Sequence, residues 1–150
     1  MSDDKKYSVV IVAGGKGFRV GGDIPKQFIT IGSKPMLMHT IEAFYSFNKN
    51  IRIIIVLPNE FVQLWQHLCD EQNFTIKHSI VLGGETRFHS VKNGLNEVAP
   101  DEIVAIHDGA RPFVTPKLIE NCFNEAFNSQ CGIIPVIDEI NSVRRVTANG

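Results

Sequence analysis

The sequence is poor in cysteine, and its cysteines are not spaced for metal or redox chemistry. Cys69, Cys122 and Cys131 are the three cysteines among 150 residues, and no two of them form a CxxC pair. Structural zinc sites and dithiol redox centres use such closely spaced ligands. We therefore predict that these thiols are reduced core residues of a cytosolic protein, with no metal or redox role.

Excess charge and long apolar runs are lacking as well. The chain has 15 Lys and Arg against 16 Asp and Glu, for a net charge of −1, so no broad basic surface would attract nucleic acid and any anion site must be local. No apolar run reaches the roughly 20 residues of a membrane span, and the polar first six residues lack the apolar core of a signal peptide. We predict a soluble, cytoplasmic protein that binds neither nucleic acid nor membrane.

The chain alternates between short apolar runs and amphipathic stretches. A length of 150 residues and a hydrophobic fraction of 43% suit one globular domain. The pattern predicts strands over 8–13, 51–57, 76–82, 102–106 and 132–136, a helix beginning at Pro35, and helices over 61–69, 86–98 and 117–127. It also predicts an extended segment over 141–146. This alternation is typical of an α/β fold with a mostly parallel sheet.

Three polar loops follow predicted strands, over residues 14–26, 83–90 and 107–112. The carboxyl ends of parallel strands meet at one edge of a sheet, and open α/β sheets bind their ligands there. We therefore expect these three loops to form one site.

The first loop is rich in glycine and carries two cations after its glycines, Arg19 and Lys26. It contains Gly14, Gly15 and Gly17 directly after an apolar strand, which suits close approach of the backbone to a polyphosphate. The loop is neither a Walker A motif nor a complete GxGxxG fingerprint. The alternative is a flexible turn with surface cations, although the neighbouring Pro25 restrains the backbone of Lys26.

The second loop is Gly83-Gly84-Glu85-Thr86-Arg87-Phe88-His89-Ser90. Glu85 and Ser90 have side chains that could hydrogen-bond a base edge or a ribose. The alternative is helix capping by Thr86, with Arg87 and His89 in solvent.

The third loop is His107-Asp108-Gly109-Ala110-Arg111-Pro112. Asp108 ends a buried strand, where a carboxylate could hold Mg²⁺ that is bound to phosphates. The alternative is an Asx-turn aspartate in a salt bridge with Arg111.

The three loops together resemble one enzyme family. The motifs AGGKGFRVGGDIPKQF, GGETRFHSV and HDGARPF occur in this order and resemble those of the cytidylyltransferases of the non-mevalonate isoprenoid pathway. The resemblance runs from about Val9 to Arg145. It implies a Rossmann-like, three-layer α/β/α nucleotidyltransferase fold and transfer of CMP from CTP to 2-C-methyl-D-erythritol 4-phosphate, with release of pyrophosphate.

The resemblance also implies roles for particular residues. Arg19 and Lys26 match the pair that is regarded as catalytic in the family, and Asp108 matches a residue beside the ribose and Mg²⁺. The remaining substrate-binding positions that it implies in the three motifs are Ala13, Gly14, Gly15, Gly84, Glu85, Ser90 and Arg111. Glu85 stands where the family commonly has Asp.

A fourth segment, Asn141-Ser142-Val143-Arg144, is similar to the start of an arm that crosses to a partner subunit in the family. Ser142 and Arg144 are therefore further candidates for binding the acceptor, although Asn141 replaces the usual Asp. Family members are longer, so the resemblance predicts one nucleotidyltransferase domain over 1–150. In that domain 141–150 begin the dimer arm, the C-terminal part of the family fold is absent, and the full-length protein is a homodimer.

The implied chemistry needs no strong general base, because a phosphate monoester is already ionised near neutral pH. Catalysis would depend on positioning and on electrostatic stabilisation by Arg19 and Lys26. Three alternatives stay open: a cytidylyltransferase for another sugar-alcohol phosphate such as ribitol 5-phosphate, a non-catalytic CTP-binding module, and a dinucleotide-dependent enzyme. The missing third glycine disfavours the last of these.

Overall fold

A four-stranded parallel sheet forms the centre of the protein. The computed structural model describes residues 6–15 and 24–138. The strands β1 (Lys6–Val12), β4 (Arg52–Leu57), β5 (Ser79–Leu82) and β6 (Glu102–Asp108) lie in the order β5-β4-β1-β6. All three pairings are parallel. The prediction of an α/β fold with a parallel sheet is therefore confirmed.

Helices cover both faces of this sheet. They are α1 (Met36–Phe47), α2 (Asn59–Glu71), α3 (Arg87–Leu95) and α4 (Pro116–Ser129). A short 3₁₀ helix (Lys26–Phe28) and an antiparallel pair, β2 (Thr30–Ile31) and β3 (Lys34–Pro35), lie between β1 and α1. None of the helices in the described ranges is long and apolar enough to cross a bilayer.

The alternation of side chains along the central strands builds two cores. Val9 and Ile11 face the larger core, which contains buried residues of α1, α2 and α4, including the fully buried Trp65. Val10 faces the smaller core under α3. Side chains of a strand alternate between faces, so one β-branched run in β1 supplies both cores. The three-layer α/β/α arrangement follows from this.

Two helices begin at a threonine cap, and the cap at Thr86 is the one that the alternative reading of its loop predicted. The Thr86 hydroxyl accepts a hydrogen bond from the His89 amide at the start of α3, and the Thr115 hydroxyl accepts one from the Leu118 amide at the start of α4. Each bond satisfies one of the amides that the first helical turn leaves without a partner.

Two expectations were wrong. Residues 132–136 form no strand in the described chain, and Ile134 and Val136 are more than 80% exposed; a run of β-branched residues forms a strand only where a neighbouring strand pairs with it. Cys131 is exposed rather than buried, whereas Cys69 and Cys122 are partly buried. The extended segment that we predicted over 141–146 lies outside the described residues.

Burial affects the chemistry of one thiol. It raises the pKa of Cys69 to about 11, and the negative charge of Asp70 adds to the effect. This thiol therefore stays protonated at neutral pH, as expected for an unreactive cysteine.

Candidate nucleotide-binding site

Three backbone hydrogen bonds gather the predicted loops at one edge of the sheet. They continue the strand pairing beyond the last residue of each strand. The amide of Ala13 donates to Val56 O, that of Gly83 to Leu57 O and that of Gly109 to Val12 O, over 2.8 to 2.9 Å. Because each bond lies where a strand passes into its loop, all three loops start from fixed positions.

The loops enclose an open cleft of about 690 Å³. Nine of the residues singled out from the sequence line it: Ala13, Gly14, Gly15, Lys26, Gly84, Glu85, Ser90, Asp108 and Arg111. The expectation that the three loops form one site is thus met in the geometry, while the roles of the individual residues stay predictions. Arg19, Ser142 and Arg144 lie outside the described residues.

Ser90 lies at the junction of two loops. Its side chain is 5% exposed, and its hydroxyl oxygen accepts a hydrogen bond of 3.1 Å from the Gly84 amide. A Cβ atom on Gly84 would lie 2.4 Å from the Cβ of His89, far inside normal contact distance. A side chain at this position would therefore push the loop away from the first turn of α3.

Asp108 binds two arginines that also line the cleft. Its Oδ1 accepts from Arg87 Nη2 over 2.9 Å, and its Oδ2 accepts from Arg111 Nε over 3.0 Å. Partial burial acts to raise the pKa of Asp108, but the hydrogen bonds and positive charges of the two arginines outweigh it and hold the pKa below its ordinary value. Asp108 is therefore ionised at neutral pH.

The turn that carries Asp108 is fixed from two sides. Thr40 is fully buried, and its hydroxyl donates to Gly109 O over 3.0 Å. His107 Nε2 lies 3.0 Å from Arg111 O. Because a carbonyl oxygen only accepts hydrogen bonds, this nitrogen must carry a proton. Burial lowers the pKa of His107, and the charge of Arg111 adds to this effect, against the opposing contributions of the Arg111 carbonyl and Asp108. A neutral ring with its proton on Nε2 fits these contacts.

Sequence reasoning did not place Arg87 in the site. The alternative reading of its loop put this residue in solvent, and its side chain is indeed 61% exposed, but it also lines the cleft and binds Asp108. Thr86 as a helix cap predicts that Arg87 is the first residue of α3. The contact with Asp108 could not be predicted in this way, because it joins residues that are 21 positions apart. Gln27 was also missed; it is 2% exposed and lies beside Lys26.

The residues present are compatible with a nucleotide-bound Mg²⁺. No group of three or more His, Cys, Asp or Glu side chains in the described part of the chain could hold a metal by itself. Two carboxylates, those of Glu85 and Asp108, line the cleft. Mg²⁺ is commonly bound by one or two carboxylates together with substrate phosphates and water, so these residues would fit the ion only in company with a nucleotide and only where Asp108 exchanges an arginine contact for it.

Comparison with known proteins identifies relatives over nearly the whole chain. The family model of 2-C-methyl-D-erythritol 4-phosphate cytidylyltransferase matches residues 7–150. The enzyme of that name from Phocaeicola vulgatus is 53% identical over 142 residues, which is 95% of this chain and 64% of the relative. The one from Bacteroides thetaiotaomicron is 50% identical over 145 residues, or 97% of this chain and 66% of the relative. The chain thus spans about two thirds of the length of these curated relatives.

Solved structures agree with the fold. A 4-diphosphocytidyl-2C-methyl-D-erythritol synthase from Anaerococcus prevotii superposes with a TM-score of 0.66 at 27% identity, over 83% of this chain and 52% of that chain. Another crystal structure of a synthase of this name gives a TM-score of 0.76 over 99% of this chain and 67% of that chain. The identity in the second case is 23%, so that likeness bears on the fold alone.

Proposed function

The chain belongs to the 2-C-methyl-D-erythritol 4-phosphate cytidylyltransferase family, and we propose that its cleft binds CTP and transfers CMP to 2-C-methyl-D-erythritol 4-phosphate. The observation that carries this proposal is the meeting of the three motif loops around one cleft, with Lys26, Arg87 and Arg111 among its lining residues. These cations lie beside glycine backbone, a combination that suits a polyphosphate.

In the proposed reaction an oxygen of the acceptor's phosphate attacks the α-phosphorus of CTP. A new P–O bond forms, the bond between the α-phosphorus and the bridging oxygen breaks, and the electron pair leaves with pyrophosphate. The acceptor oxygen is already ionised near neutral pH, so no proton must be removed first. This agrees with a cleft lining that contains no His or Cys among the described residues.

The chain's own groups would lower the barrier by electrostatics. Lys26 would place its ammonium group against the oxygens that gain negative charge, together with Arg19. Amides of Gly14 and Gly15 would donate to the phosphates, and Gly84, Glu85 and Ser90 would hold the cytidine. A bound Mg²⁺ would neutralise phosphate charge, with Asp108 as its protein ligand. Preorganised charges of this kind need little rearrangement when the reaction occurs.

The acceptor, the subunit arrangement and the location are part of the proposal and are supported by family membership alone. Ser142 and Arg144 are proposed to contact the acceptor phosphate from an arm over 141–150, in a homodimer of the full-length protein. We propose a cytoplasmic location. Light scattering would measure the dimer directly, and a mass equal to one chain would refute it.

Release of pyrophosphate tests the proposed function. The assay contains CTP, Mg²⁺ and either 2-C-methyl-D-erythritol 4-phosphate or ribitol 5-phosphate. With the full-length protein we expect turnover with the first acceptor and a loss of roughly a thousandfold in Lys26→Ala, by analogy with the removal of an oxyanion-hole donor. Lys77→Ala is the matched control, because Lys77 is exposed and lies outside the cleft lining.

Three results would contradict the proposal in different ways. If Lys26→Ala releases pyrophosphate as fast as wild type, Lys26 has no role in the reaction. Turnover with ribitol 5-phosphate alone would change the acceptor. If calorimetry shows binding of CTP with Mg²⁺ but no acceptor gives turnover, the protein is a nucleotide-binding module and not an enzyme.

A further inference from the structure

Gln27 is a buried polar residue that the proposed reaction does not use. Its side chain is 2% exposed, and its amide Nε2 donates to the backbone carbonyl of Ala13 over 2.6 Å. A carbonyl oxygen only accepts hydrogen bonds, so the nitrogen of the side-chain amide must face it. The contact joins the 3₁₀ helix of Lys26 to the last residue before the glycines.

This bond fixes the first peptide of the glycine loop. The Ala13 amide is already bound to Val56 O, and Gln27 holds the carbonyl of the same residue. In a trans peptide the carbonyl and the following N–H point in opposite directions. Holding the Ala13 carbonyl therefore also sets the direction of the Gly14 amide, which we propose as a phosphate donor.

The segment around Lys26 is also anchored by the core. Phe28 is 4% exposed and packs against Phe61 and Trp65, with ring centroids 5.8 and 6.2 Å apart. The Phe28 amide donates to Pro25 O over 2.9 Å. The backbone of Lys26 is thus followed directly by the polar clamp at Gln27 and the hydrophobic anchor at Phe28.

We propose that Gln27 is a positioning residue, whose buried amide sets the placement of Lys26 relative to the glycine loop. Glycine backbone has little intrinsic stiffness, and Lys26 follows that loop in the chain. Within residues 6–15 and 24–138, the Gln27 bond links the two parts of the phosphate site directly, and packing in the core links them indirectly. The inference rests on the proposed function in so far as Lys26 and the loop act on the same phosphates.

Two substitutions remove the hydrogen bond in different ways. Gln27→Met keeps the length and the apolar stem but has no N–H donor. Gln27→Glu keeps the shape and places a carboxylate oxygen against the Ala13 carbonyl. Gln66→Met is the matched control, because Gln66 lies on the exposed side of α2. Circular dichroism verifies that each variant is folded, and Gln27→Glu replaces Gln27→Met in the tests below if the latter fails to fold.

The first test needs no substrate. In ¹⁵N NMR spectra of the wild-type chain we expect a Gln27 side-chain N–H to exchange with solvent at least roughly tenfold more slowly than those of Gln66, since buried and bonded groups exchange only after local opening. We also expect the Gly14 and Gly15 amide resonances to move in Gln27→Met and to stay in place in Gln66→Met, because the Gln27 bond orients the peptide that carries the Gly14 amide. Equal exchange at Gln27 and Gln66, or unchanged glycine amides in the variant, would overturn the inference.

The second test separates positioning from binding. We expect kcat to fall roughly 100-fold in Gln27→Met, because a displacement of about 1 Å can have that effect, while the Kd for CTP with Mg²⁺ changes less than about threefold. Unchanged kcat in the variant beside an active wild type would overturn the inference and leave the proposed function intact. A wild type that neither binds nor turns over CTP would refute the proposed function, and the positions of the glycine amide resonances in the variants would then decide the inference alone.

Discussion

Gly94 lies where α3 packs directly against the central strands of the smaller core. A Cβ atom built on it would be 2.4 Å from Val10 Cγ1 and 2.9 Å from Val56 Cγ2. Both valines are fully buried in the central strands. Because carbon atoms pack at about 3.5–4.0 Å, Gly94→Ala requires α3 to move away by roughly 1 Å.

Two opposing effects decide the size of the change. Overpacking of a well-packed core costs about 1–3 kcal/mol. Replacing glycine by alanine inside a helix contributes about 0.5–1 kcal/mol of stabilisation. We expect Gly94→Ala to lower the free energy of unfolding by about 1–2 kcal/mol, because the two contacts involve side chains that have no space to retreat. For a chain of this size the melting temperature would fall by about 3–6 °C.

Urea unfolding followed by circular dichroism measures this change. The matched control is Gly132→Ala, because a Cβ atom there would have no neighbour within 4 Å; its effect should stay within about 0.5 kcal/mol. We also expect weaker CTP binding by Gly94→Ala, since α3 carries Arg87 and Ser90. A Gly94→Ala variant as stable as wild type would refute the close approach of α3.

Three further predictions concern single contacts. Gly84→Ala should displace the loop from His89 and weaken CTP binding at least about tenfold, with the free energy of unfolding unchanged. Calorimetry measures the affinity for CTP. A variant that binds CTP as tightly as wild type would contradict the close contact between Gly84 and His89. His78 Nε2 accepts from the Trp65 indole, and burial lowers the pKa of His78. The folded state therefore binds a proton at His78 less readily than the unfolded chain does. The contribution of neutral His78 to the free energy of unfolding is complete above about pH 6.5 and is lost as the pH falls. Urea titrations should show a weaker pH dependence of the free energy of unfolding in His78→Gln. Thr115→Ala should lower the free energy of unfolding by about 1 kcal/mol through the lost bond to the Leu118 amide, and an unchanged urea midpoint would argue against this cap.

The alternation of apolar runs was sufficient to predict most of the fold. The four strands of the parallel sheet and the four α-helices all lie where the pattern indicated them, with boundaries that differ by a few residues, whereas the short pair β2 and β3 was not predicted. For example, β5 begins at Ser79 rather than 76. Strand pairing explains the failure at 132–136, because the local pattern cannot say whether a neighbouring strand is available.

Two alternatives that the sequence left open describe the geometry correctly. Thr86 does cap α3, and Asp108 does bind Arg111. Neither contact argues against a functional site, because the same residues line the cleft. A capped helix start and a doubly bound carboxylate hold their loops still, which a preorganised phosphate site requires.

The sequence by itself determined the parallel α/β architecture, the positions of the three loops and the motifs that mark the family. These are local properties, since glycine content, caps and apolar periodicity act over a few residues. Only the tertiary structure decided that Arg87 reaches Asp108, that Gln27 holds the Ala13 carbonyl and that Gly94 contacts the central strands. Such contacts join residues 14 or more positions apart, and their existence depends on how the sheet and helices pack.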